Sequence, residues 1–160
     1  MGRGLINKYL LLILAFSLLL SSCGKDIVFS DSRVIEKTNW NLMNVLSFNV
    51  PITDTIRSNN VSFTIRTGNS YPFRNIWLFV STTSPDGKTI SDTLQYILAD
   101  EKGKWIGKGF GDIKELRLPY KSNVYFPVKG NYIFTVQHGM RTEDLKGVYD
   151  FGIRVEKISK

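Results

Sequence analysis

The sequence predicts an all-β fold, a single antiparallel β-sandwich of jelly-roll-like form behind a cleaved lipoprotein signal peptide. Three observations predict it. Beyond the first segment, apolar residues recur with a period of two, the signature of strands with one buried face. Aromatic residues make up 12% of the chain and gather at that same spacing, where a pleated, half-buried surface suits them. Turn-forming residues interrupt these runs at short intervals, as the many short strands of a sandwich or partly closed barrel require. At 160 residues, 42% apolar and 22% charged, the chain suits one domain with a core of its own and no staples.

The first element is a leader. Met1 to Tyr9 carries Arg3 and Lys8 without an acid, Leu10 to Leu20 is an apolar run, and Ser21-Ser22-Cys23-Gly24 follows. A positive start, an apolar stretch of roughly 7–15 residues and small exit residues define a secretory signal. The run is shorter than the ~20 residues of a membrane-spanning helix. Leu20-Ser21-Ser22-Cys23 resembles the bacterial lipobox, in which the cysteine thiol takes a diacylglyceryl group and cleavage leaves the cysteine first. The expectation is a signal peptide over 1–22, an acylated tether over 23–32 and a β-sandwich over 33–160. Membrane lipid is then bound through acylated Cys23. Cys23 is the only cysteine, so neither an intrachain disulfide nor a thiolate zinc site competes for it.

The strands come next. Val61, Phe63 and Ile65 alternate with Ser62, Thr64 and Arg66; Tyr132, Phe134 and Val136 alternate with Ile133, Thr135 and Gln137. Tyr149, Phe151, Ile153 and Val155 alternate with Asp150, Gly152, Arg154 and Glu156. These patterns predict half-buried antiparallel strands. Asn75 to Val80 is apolar on both faces and predicts a central strand covered on both sides, with Trp77 in the core. Ser84-Pro-Asp-Gly-Lys88 predicts a tight turn, since Pro presets φ and Gly accepts a left-handed conformation. It closes a hairpin onto Thr89 to Leu98, where Ile90, Leu94, Tyr96 and Leu98 share a face. Further turns are expected at Ser58 to Asn60, Asp100 to Gly103 and Lys129 to Asn131. One helical turn is expected around Arg141 to Lys146, with Thr142 as its cap.

Chemistry is thin. The net charge of +7 includes the leader's Arg3 and Lys8, and the other cations are scattered, which suits solubility rather than nucleic-acid binding. The lone histidine, His138, has no ligand partners at metal-site spacing and no serine in a nucleophile elbow; a half-exposed structural role is expected. Asp100, Asp112, Glu115, Asp144 and Asp150 fall in or near turns, where acids shape backbone. Gly107-Lys-Gly-Phe-Gly111 lacks the strand-to-helix setting of a phosphate loop; a bulge or tight corner beside a packed Trp105 accounts for it. No catalytic residue, metal site or cofactor is expected. Tyr71, Phe73, Arg74 and Trp105 are the candidates for a partner or glycan surface, on the stretches Tyr71 to Arg74 and Lys104 to Gly111.

The segments also match a family in order and spacing. They are the lipobox cysteine, Phe63-Thr-Ile-Arg66, Tyr71-Pro-Phe-Arg-Asn-Ile-Trp-Leu-Phe79, Asp92-Thr-Leu94 and Leu98-Ala-Asp-Glu-Lys-Gly-Lys-Trp-Ile-Gly-Lys-Gly109. Phe126-Pro-Val-Lys-Gly-Asn-Tyr132, Gln137-His-Gly-Met-Arg141 and Leu145-Lys-Gly-Val-Tyr-Asp-Phe-Gly-Ile-Arg-Val-Glu156 complete the set. The chain resembles GldH, the gliding motility lipoprotein family of the Bacteroidetes, although His138-Gly139 departs from the family's form there. The resemblance implies a non-enzymatic envelope lipoprotein that supports gliding, with partners in the motility and type IX secretion machinery. A glycan-binding surface lipoprotein is the alternative. Gly24 after Cys23 replaces the Asp that retains some lipoproteins at the inner membrane, so the expected location is the outer membrane, facing the periplasm.

Overall fold

The computed structural model describes residues 27–158, so the leader and Cys23 lie outside the described residues. The strands in chain order are β1 (Ile27–Val34), β2 (Asn39–Asn41), β3 (Leu46–Ile52), β4 (Asn59–Thr67) and β5 (Asn75–Thr83). They continue with β6 (Thr89–Ile97), β7 (Lys114–Val124), β8 (Gly130–His138), β9 (Asp144–Lys146) and β10 (Val148–Lys157). Among the described residues the one helical element is a short 3-10 turn, Glu36–Thr38.

Eight strands form two four-stranded antiparallel sheets, ordered β1-β10-β4-β7 and β3-β8-β5-β6, while β2 and β9 make a small separate ribbon. The chain crosses between the two sheets at every connection except the β5–β6 hairpin, passing through β2 on the way from β1 to β3 and through β9 on the way from β8 to β10. That strand order is the double Greek key of a jelly roll. The inward alternation of Val61, Phe63 and Ile65 on β4, and of Tyr132, Phe134 and Val136 on β8, is met by burial of all six. Phe63 lies between Tyr120 and Phe151 at ring-centroid distances of 5.1 and 5.4 Å, tying β4, β7 and β10 into one core. Each such side chain contributes about 1.5–3 kcal/mol on burial.

The Ser84–Lys88 turn closes as expected: the Gly87 amide donates to the Ser84 carbonyl at 2.9 Å, with Gly87 at φ +83°. The hairpin pairs from Thr83↔Thr89 to Asn75↔Ile97. Leu98 falls just past β6, buried, with its amide on the Arg74 carbonyl. Ile90 shares the inward side but stays exposed at the hairpin end. Asp100 shapes its turn by accepting the Lys102 and Lys104 amides on Oδ1.

Five expectations are corrected. Residues 27–32 belong to β1, paired with β10 from Ile27↔Glu156 onward, so sheet begins well inside the stretch assigned to a tether. The turn placed at Ser58 to Asn60 sits earlier, where Asp54 Oδ1 accepts the Ile56 and Arg57 amides; Asn59 and Asn60 already belong to β4. No helix forms at Arg141 to Lys146: Asp144–Lys146 is β9, paired to β2 through Trp40↔Leu145. Thr142 does not cap it and instead donates to the Asp144 carbonyl. Tyr149 leaves the alternation of its strand because the β10 register shifts between Val148 and Asp150; a bulge adds one residue there. Finally, β5 is central, between β8 and β6, but covered on one face. Ile76, Leu78 and Val80 are buried, whereas Trp77 is 39% and Phe79 48% exposed. Trp77 is therefore not core.

Candidate functional site

The exposed aromatics of β5 stand on an unusual surface. The outward positions of the β3-β8-β5-β6 sheet are Ser47, Asn49 and Pro51, then Asn131, Ile133, Thr135 and Gln137. On β5 and β6 they are the odd-numbered residues 75–83 and 89–97. None of these is Asp, Glu, Lys or Arg. Hydroxyls pair with one another across the hairpin, Ser81 with Ser91 at 2.8 Å and Thr83 with Thr89 at 2.9 Å. Above them Trp77 and Phe79 line an open groove of about 470 Å³ with Phe73, Thr93, Met140 and Arg141. Gly139 makes that groove possible: a side chain there would begin 2.9 Å from the Phe79 ring. Its amide donates to the Trp77 carbonyl at 2.7 Å, carrying the β5–β8 pairing one residue further.

The opposite sheet faces outward with charge. On β4, β7 and β10, Arg66 pairs with Asp150, and Glu156 accepts from Arg117 at 2.5 Å and Arg154 at 2.9 Å. Burial alone would raise the Glu156 carboxyl; the two arginines more than offset it and hold its pKa below the ordinary value.

The four residues expected to form a surface are brought together only in part. Tyr71 stands edge-on to Phe73 at 6.1 Å and to Trp105 at 5.9 Å. Yet Tyr71 is buried, donating its hydroxyl to the Asn75 carbonyl at 2.8 Å, and burial raises its pKa. Trp105 packs partly buried against the core. Arg74 is exposed, and its carbonyl accepts both the Leu98 and Ala99 amides. Of the four, Phe73 reaches the groove. The glycine loop behaves as a tight corner. A Cβ on Gly109 would lie 2.2 Å from the Ile113 carbonyl oxygen, so the two arms approach backbone to backbone and Phe110 is left wholly exposed at the tip.

His138 is not half-exposed but fully buried, edge-on to Trp40 at 5.5 Å. Burial lowers its pKa from 6.5, and the Trp40 and Glu143 carbonyls offset that only in part. Among the acids, Asp112 accepts from Asn69, Asp144 from Asn41, and Asp150 from Arg66. Each thereby holds local structure. Among the described residues no group of three or more His, Cys, Asp or Glu could hold a metal ion, and no helix is long and apolar enough to cross a membrane.

Comparison with known proteins adds what geometry leaves open. The family model of the GldH lipoprotein matches residues 27–155. The gliding motility lipoprotein GldH of Flavobacterium johnsoniae is 35% identical over 153 residues, covering 91% of this chain and 94% of that protein. A gliding motility lipoprotein GldH homolog of Christiangramia forsetii is 34% identical over 159 residues, covering 94% and 97%.

Proposed function

The chain belongs to the GldH lipoprotein family, and from that membership we propose that it is a lipid-anchored, non-enzymatic envelope protein supporting gliding motility. In this reading the Cys23 thiol takes a diacylglyceryl group, cleavage leaves Cys23 first, and the protein resides at the outer membrane facing the periplasm. Two or three acyl chains, at ~0.8 kcal/mol per buried CH₂, hold such a protein without further help. Its work is to assemble or stabilise motility and type IX secretion components by surface contact.

The observation that carries this reading is the uncharged outer face of the β3-β8-β5-β6 sheet, with Trp77 and Phe79 exposed on it. In a chain of net charge +7, a sheet whose outward strand positions carry no formal charge spares a partner most of the cost of desolvating ions, and aromatics are enriched in interface cores. Pull-down of the lipidated protein from envelope extracts is expected to recover motility or secretion proteins, and Trp77→Ala with Phe79→Ala to lose them while the protein stays folded. Recovery by both proteins alike would remove the face from consideration. A deletion strain is expected to lose surface movement, scored beside secretion.

The second reading, glycan binding, is favoured by the same groove, where Trp77 and Phe79 stand near the polar Asn75 and Thr93. Trp40 is buried and Trp105 partly so, so a fluorescence change on adding glycans would report Trp77. A flat response across a broad panel disposes of it.

A further inference from the structure

The sandwich has two ends, and the lipid can reach only one of them. Three residues separate Cys23 from Ile27, where β1 begins; the four Cα-to-Cα steps from one to the other span at most about 14 Å when fully extended. β1 then runs for eight residues, which at ~3.3 Å each carries the chain about 25 Å away from the anchor.

At the near end stand the start of β1, the β3–β4 loop, the Ser84–Lys88 hairpin, residues 125–129 and the end of β10. Strand pairing places them together: Ile27 faces Glu156, Lys157 faces Asn59, Asn59 faces Val124 and Ile52 faces Gly130. The surface here does not suit open water. Ile56 is 84% exposed at the tip of the β3–β4 loop and Tyr125 is 60% exposed. Ile27 and Ile90 are exposed as well. A largely apolar recess of about 340 Å³ lies between the hairpin and residues 124–128, over Phe126 and Tyr132. Cations outnumber acids at this end, Arg57, Lys88, Lys129 and Lys157 against Asp54, Asp86 and Glu156, and Asp54 and Asp86 pair with three of the four. Apolar tips ringed by cations suit the boundary between headgroups and acyl chains, where Tyr settles and Lys and Arg meet anionic lipid.

Resting on the proposed acylation of Cys23, we propose that this near end, led by Ile56 and Tyr125, sits in the bilayer interface. The lipid then sets the orientation of the domain as well as its location: the sandwich stands on its near end with Phe110 and the distal loops held away from the membrane.

The test uses the full lipidated protein in vesicles of phosphatidylethanolamine and phosphatidylglycerol. Because Cys23 is the only cysteine and acylation consumes its thiol, Ile56→Cys, Tyr125→Cys and Phe110→Cys each offer one labelling site. A fluorophore on Ile56→Cys or Tyr125→Cys is expected to be quenched several-fold more by lipid brominated near the headgroup than one on Phe110→Cys. Equal, weak quenching at all three positions, in protein that carries its acyl chains and floats with the vesicles, overturns the inference and leaves the anchoring intact. Absence of acyl chains in mass spectra of the protein from membranes, with Cys23→Ser distributing identically, overturns both together.

Discussion

On the outside of the β1-β10-β4-β7 sheet, arginines and acids neutralise one another; on the outside of the β3-β8-β5-β6 sheet no strand position carries a charged side chain, and Arg141 reaches the groove only from the loop after β8. Both sheets are built from the same alternation and press on one core, so the difference is not demanded by folding. The first face satisfies itself: Glu156 is nearly buried between Arg117 and Arg154, and Arg117 also donates to Ser62 at 2.9 Å. The second leaves two large rings unpartnered beside hydroxyls that bond to each other. A surface that has already met its own polar needs is a poor place for a partner, and the other is a good one.

The largest expected effect tests that contrast directly. Trp77→Ala with Phe79→Ala should weaken partner binding by about 2 kcal/mol or more, roughly thirtyfold, as loss of a central aromatic anchor does. Placing one charge sharpens the comparison. Gln95→Lys, opposite Trp77, should also weaken capture, whereas Ser32→Lys on the ion-paired sheet should leave it unchanged. Equal losses from the two lysines would erase the distinction between the faces.

A middle-sized effect belongs to the charged face. Glu156→Ala leaves two arginines facing each other without their acid. Loss of one member of a fully buried pair costs about 3–5 kcal/mol; with Arg117 and Arg154 partly in water, screening reduces this to about 1–2 kcal/mol. Chemical denaturation should show that loss, with partner capture retained. An unchanged midpoint would mean the ion pairs contribute nothing to stability.

The smallest effect is a slope with pH. His138 has its pKa lowered from 6.5 by burial, so the unfolded chain binds its proton first as pH falls. Stability is full above 6.5 and declines below it until the folded protein protonates too. Glu156, lowered from 4.5, adds a second decline beginning near 4.5, while the uncharged face titrates nothing. His138→Phe should flatten the upper window in thermal melts and spare the lower one; a decline unchanged in that variant would assign the upper window to some other group.

How far the fold was legible depended on whether a signal was local. β4 and β8 could be read because one buried face imposes a period of two on consecutive residues. The Asp100 turn and the Gly107–Gly111 corner were legible for the same reason, their chemistry lying within a few positions. β5 misled because a run apolar on both faces looks alike whether its second face is covered by protein or left bare; that is decided by what lies above the sheet. The uncharged face was invisible for a related reason. Ser47, Gln95 and Thr135 are far apart in the chain and share a surface only once strand pairing is known. β9 is three residues long, too short for any period to show, and the burial of His138 depends on Trp40 of β2, nearly a hundred positions earlier.

One more property follows from where β1 lies. It is the edge strand of its sheet and the strand next after the proposed lipid attachment, and it runs antiparallel to β10 from Ile27 to Val34. Backbone hydrogen bonds in such a pair stand perpendicular to the strands. A load applied between the membrane and the distal loops therefore runs along β1 and strains the β1–β10 ladder in shear, all bonds together, rather than peeling them one at a time. Attached as proposed, the domain would meet a pull in shear, which such a ladder resists better than peeling.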